Sequence, residues 1–146
     1  PDILVFDKAC AFAPATDTPY PAIAVVEFKR PMRDDYTGAD NPFVQVLGYV
    51  QDIREGKAKT TAGREIPIGK DIPFFCYVVA DITPSLAKQA EYLELTAMPE
   101  GQGYFGFRRQ FNAYVEVVSY SRLLTDAKKR NSAFFRMLGL PDRIGP

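Results

Sequence analysis

Polar and apolar residues along this chain follow two periods, near 2 and near 3.6, and the switches between them mark its elements. Residues 3 to 6 read as a strand. A polar connection holding Pro14, Thr16, Asp17, Thr18, Pro19 and Pro21 leads to a second strand at about 22 to 29, and a long antiparallel hairpin is the simplest link between them. On the second strand Val25, Glu27 and Lys29 share one face, and Val26 and Phe28 turn to the other. After the loop Pro31 to Asp40, Asn41 offers a helix N-cap, Pro42 the first helical position and Gly56 a stop. Phe43, Val46, Leu47, Val50 and Ile53 form that helix's apolar stripe.

The run from Pro73 to Val79 is almost continuously apolar, as in a strand buried on both faces, and is expected to lie parallel to the second strand. Thr83-Pro84 opens a helix carrying Leu86, Ala90 and Leu93, and Pro99-Glu100-Gly101 makes a turn. Aromatic-rich strands follow near 103 to 107 and 113 to 119. A last helix spans about 121 to 138, with Leu123, Leu124, Ala127, Phe134, Met137 and Leu138 expected inward and Gly139 and Pro141 as its stop. The order ββαβαββα predicts an α/β fold with a mixed sheet flanked by helices. No internal repeat or boundary divides residues 1–146, so they read as a single domain. The first residue is Pro1 rather than Met, which suggests a fragment of a longer chain.

Composition narrows the chemistry. With 47% apolar, 13% aromatic and 25% charged residues the chain is an ordinary globular one, and it lacks any apolar run long enough to suggest a membrane span. It contains no histidine, which excludes histidine-based nucleophile pairs, general bases and metal sites within these residues. Cys10 and Cys76 have no metal-ligand spacing and suggest reduced thiols in the cytoplasm. Eighteen basic residues balance 18 acidic ones, so attraction to nucleic acid must be local. Two local excesses exist: Lys57, Lys59, Arg64 and Lys70 against Glu65, and Arg122, Lys128, Lys129 and Arg130 against Asp126. Solvated surface is the plain reading of both.

Glu-x-Lys is common on exposed strands, but Glu27 and Lys29 lie in a strand that is apolar on both sides, where a charge is costly unless paired or metal-bound. If the first strand lies beside them, Asp2 and Glu27 supply two carboxylates for a hard divalent cation, and Lys29 can orient or deprotonate a water. Gln45 and Tyr49, one turn apart on the next helix, form a polar stripe able to reach phosphate or base. Gly101-Gln102-Gly103-Tyr104-Phe105-Gly106 spells a dinucleotide-binding pattern, yet it neither follows a strand nor opens a helix, so turn formation and close packing are expected instead. Asp34-Asp35 lies in a polar loop and is left out of the site.

Pro1-Asp2, Glu27-Phe28-Lys29 and Gln45-x-x-x-Tyr49 occur in the order of the PD-(D/E)xK nuclease superfamily, which the chain resembles; the Gln-x-x-x-Tyr element resembles its RecB-type branch. Val-Glu-Phe-Lys-Arg-Pro and Gly-Tyr-Phe-Gly-Phe also resemble nuclease-like C-terminal domains of bacterial GHKL-type ATP-binding proteins. The resemblance implies a restriction-endonuclease-like fold and Mg²⁺- or Mn²⁺-dependent hydrolysis of DNA. It implies Asp2, Glu27 and the Phe28 carbonyl as metal ligands, with Asp2 preferred over its rivals Asp7, which follows the strand, and Asp17, which sits in the loop; Lys29 is then the residue that positions water, and Gln45 and Tyr49 are phosphate supports. Lys57, Lys59 and Arg64 are expected to extend that surface toward DNA, and an ATPase domain of the same longer chain is a possible partner. The family's usual preceding helix has no counterpart here. Two other classes stay open: a non-catalytic nucleic-acid-binding or interaction module, and a plain structural domain.

Overall fold

The computed structural model describes residues 10–12, 20–59 and 63–139. The strand expected over 3 to 6 lies outside them. Six strands form one mixed sheet: β1 (Cys10–Phe12), β2 (Ile23–Phe28), β3 (Phe74–Val79), β4 (Thr96–Ala97), β5 (Gly103–Arg108) and β6 (Ala113–Val118), in the spatial order β1-β2-β3-β6-β5-β4. The central strands β2, β3 and β6 run parallel; β1 lies antiparallel to β2, β5 to β6 and β4 to β5. Three helices complete the described chain: α1 (Pro42–Arg54), α2 (Pro84–Tyr92) and α3 (Tyr120–Met137). Neither β1 nor β4 is expected from the sequence, because strands of three and two residues carry no periodicity.

One sheet face carries the core. Ile23 and Val25 of β2, Phe74, Cys76 and Val78 of β3, and Ala113, Val115 and Val117 of β6 are buried with the expected α1 stripe Phe43, Val46, Leu47, Val50 and Ile53. Each fully buried aliphatic side chain contributes about 1.5–3 kcal/mol, so this face accounts for most of the cohesion. α1 starts where its caps predict: Asn41 Oδ1 accepts from the amides of Phe43 (3.1 Å) and Val44 (3.0 Å), with Pro42 at the first turn. α2 takes its cap from elsewhere. Thr83 turns its hydroxyl away to the Arg33 carbonyl (2.8 Å), and Asp34 Oδ1 accepts from the Ser85 amide (2.8 Å). The Asp34 carboxyl is held below its usual range by that backbone bond.

The glycine-rich run serves packing. A Cβ on Gly103 would lie 2.1 Å from the Val117 carbonyl oxygen, and one on Gly106 would press on Leu95.

α3 departs from expectation. None of its residues is buried; Leu123, Leu124, Phe134 and Met137, expected inward with Ala127, are all exposed, as is Leu138 just past the helix. At about 1.5 Å per residue its 18 residues span about 27 Å, longer than the strands beside it. The apolar stripe marks which residues share a face, not whether anything covers it.

Candidate functional site

β2, β3 and β6 are parallel, so their carboxyl ends lie together, and each runs on into the amino end of a helix: β2 through a loop into α1, β3 into α2, β6 into α3. In open α/β sheets this edge is where ligands bind, and three helix amino ends give it positive dipole character.

Glu27 and Lys29 sit at this edge, on the α1 face of β2, each only 1% exposed. Strand alternation sends both side chains the same way, and Lys29 Nζ lies 2.7 Å from Glu27 Oε1. The ammonium also donates to Gln45 Oε1, from the first turn of α1. The Lys29 main chain is fixed on both sides: its amide donates to the Val79 carbonyl (2.9 Å), and its carbonyl accepts from the Tyr120 hydroxyl (2.5 Å). Glu27 Oε2 is buried and has no hydrogen-bond partner. A carboxylate oxygen left so inside a protein costs about 1–3 kcal/mol or more, as befits a group held for a further ligand.

The structure brings Glu27, Lys29 and Gln45 together as expected from strand alternation and helix proximity. Tyr49 lies one turn beyond Gln45 and is more than one-third exposed, on the outer flank rather than in the core. Phe28 ends β2 with its ring on the opposite sheet face, partly buried. Asp2 lies outside the described residues. Among the described residues no group of three or more Cys, Asp or Glu side chains is placed to hold a metal ion.

Lys57, Lys59 and Arg64, expected to extend the surface toward DNA, lie apart from this cluster. Lys57 and Lys59 follow the far end of α1, and about 14 Å of helix separates Gln45 from Arg54. That end adjoins the start of the sheet, where Arg54 closes the edge by donating to the carbonyls of Ile72 (2.9 Å) and Phe111 (3.1 Å). Lys57 pairs with Glu55, and Lys59 with Glu65 at 3.2 Å, while Arg64 is exposed in the same connection. α1 reverses direction relative to β2, so residues just past it lie away from residues just past β2.

Sequence reading missed Tyr120 and Asp40. Tyr120 reaches Lys29 across 91 positions, a separation that leaves no local signal, whereas Asp40 accepts from Gln45 Nε2 at 3.2 Å and sits just before the α1 cap. Among the described residues no helix is long and apolar enough to cross a membrane. No family model, curated protein or solved structure matches the chain.

Proposed function

We propose that this chain is a metal-dependent nuclease domain that hydrolyses phosphodiester bonds of DNA. The observation that carries the reading is the buried Glu27–Lys29–Gln45 constellation at the carboxyl edge of the parallel strands, with Glu27 Oε2 unpartnered. Charged residues in a core are costly and add little stability as a pair, so their retention at a ligand-binding edge favours a chemical role. Glu27 offers a carboxylate oxygen of the kind a hard cation takes, and the resemblance implies Asp2 and the Phe28 carbonyl as further oxygen ligands. A bound Mg²⁺ or Mn²⁺ supplies Lewis-acid polarisation of the phosphate and of an attacking water. Lys29 holds that water in line and steadies developing negative charge, and Gln45 keeps the ammonium aimed. Tyr49 contributes a flanking phosphate or base contact. The resemblance to PD-(D/E)xK domains of larger ATP-binding proteins supports the same reading and a place within a longer chain.

One observation favours a second reading, a non-catalytic interaction module: Glu27 and Lys29 are closed on each other and barely exposed. Cleavage decides between them. Glu27→Gln keeps the volume and an acceptor for Lys29, so it disturbs the fold less than Glu27→Leu, and circular dichroism checks that it is folded. With Mg²⁺ or Mn²⁺ the parent protein is expected to cut duplex DNA, and the variant to lose at least about a hundredfold in rate while keeping its circular dichroism. A parent that cuts nothing while still binding DNA or a partner domain selects the module.

A further inference from the structure

Gln45 serves Lys29 only with its amide turned one way. Its oxygen accepts from Lys29 Nζ and its Nε2 donates to Asp40 Oδ1 at 3.2 Å. The reversed amide would set two donors against each other at an ammonium only 1% exposed. Asp40 is itself held: its Oδ2 accepts from Arg33 Nη2 at 2.5 Å. Arg33 Nε reaches Asp35 Oδ1 at 2.7 Å, and the guanidinium lies 4.6 Å over the Tyr36 ring. Arg33 is largely covered, whereas Asp35 and Asp40 are exposed, so the chain runs from the surface inward through Asp40 and Gln45 to Lys29 and Glu27. The hydrogen bond from Arg33 holds the Asp35 carboxyl below its ordinary range, keeping this anchor ionised near neutrality.

We infer that Asp40, steadied by Arg33, is a positioning residue that fixes the Gln45 amide with its oxygen toward Lys29 and so keeps the ammonium aimed at Glu27. Its catalytic consequence rests on the nuclease reading; its positional content does not. Arg33, Asp35 and Asp40 all lie in the loop joining β2 to α1, so one short segment carries the orienting chain from strand to helix.

Kinetics and side-chain amide spectra test the inference together. Asp40→Ala is expected to lower kcat on saturating duplex DNA about threefold to tenfold with KM unchanged. In a Gln45→Ala background the same change should do nothing more, since Asp40 acts through Gln45. A polarity swap gives the rescue: Gln45→Glu sets a carboxylate against Asp40 and slows cutting. Adding Asp40→Asn restores it, because the new amide nitrogen donates to that carboxylate while its oxygen still accepts from Arg33. Equal slowing of parent and Gln45→Ala by Asp40→Ala, or no restoration by the swap, overturns the inference. In ¹⁵N spectra, Asp40→Ala should shift the Gln45 side-chain amide and speed its exchange with water; an unchanged signal also overturns it. If the parent cuts no DNA but that signal moves, positioning stands and the nuclease reading falls.

Discussion

Replacing the Glu27–Lys29 pair one member at a time should damage the fold far more than replacing both. At 2.7 Å and an effective dielectric constant of about 20, the pair attracts by about 6 kcal/mol. Desolvating each ion costs several kcal/mol, and both side chains are 99% removed from water, so the net contribution to stability is near zero. Lys29→Met leaves the Glu27 carboxylate buried without its ammonium, and Glu27→Leu takes from the buried ammonium the carboxylate 2.7 Å away. Each single change is expected to cost about 3–5 kcal/mol, a large share of the 5–15 kcal/mol typical of a domain. The double variant Glu27→Leu/Lys29→Met should match the parent or exceed it by about 1–4 kcal/mol, since Gln45 is partly exposed and can turn to water. Urea unfolding followed by circular dichroism, with equal slopes required among variants, gives these differences. Single variants within about 0.5 kcal/mol of the parent, or a double variant weaker than either single, would refute the claim that the pair is kept for chemistry rather than stability.

Three further outcomes follow from other parts of the fold. Met32 occupies the third position of the Arg30–Arg33 turn at φ 58°, after Pro31, and Arg33 donates its amide to the Arg30 carbonyl (3.4 Å); glycine suits that conformation, so Met32→Gly should raise stability by about 0.5–1 kcal/mol in the same urea assay, and a loss would count against turn strain. Burial pushes the Cys76 thiol up to about 12, so in a Cys10→Ser background a thiol reagent at pH 8 should label the native protein only as fast as it unfolds; rapid labelling without denaturant contradicts the buried placement. Because the folded Asp34 carboxyl lies below its ordinary value of 3.8, its contribution is complete above that value and is lost as pH falls through the lower folded value; Asp34→Asn should therefore weaken the protein at pH 6 and lose that disadvantage toward pH 2, and an equal deficit at both pH values would refute the link.

Local patterns foretold what local physics controls. Asn41-Pro42 announced the start of α1, its stripe announced the face packed on the sheet, and the alternation through Val25, Glu27 and Lys29 announced which side chains meet. Gln45 was legible for the same reason, being on the first turn of the helix that follows. Tyr120 was not, because its bond to Lys29 depends on β6 lying beside β3, a pairing no short stretch encodes. The basic run after α1 lies apart from the cluster because nearness in sequence to the site's helix is here nearness to that helix's other end, and Glu55 sits beside Lys57. The stripe of α3 is a true stripe yet an exposed one, since amphipathicity reports a demand for cover and not its supply.

Divalent metal at Glu27 is the claim on which the account turns. Titrating Mn²⁺ into the ¹⁵N-labelled protein tests it most directly, because the ion broadens amide signals near wherever it binds. Metal at Glu27 should cause selective loss of the Glu27, Phe28 and Lys29 amide signals at low Mn²⁺, absent in Glu27→Gln. Broadening centred on exposed carboxylates such as Asp35 or Glu100, and unchanged by Glu27→Gln, would contradict it.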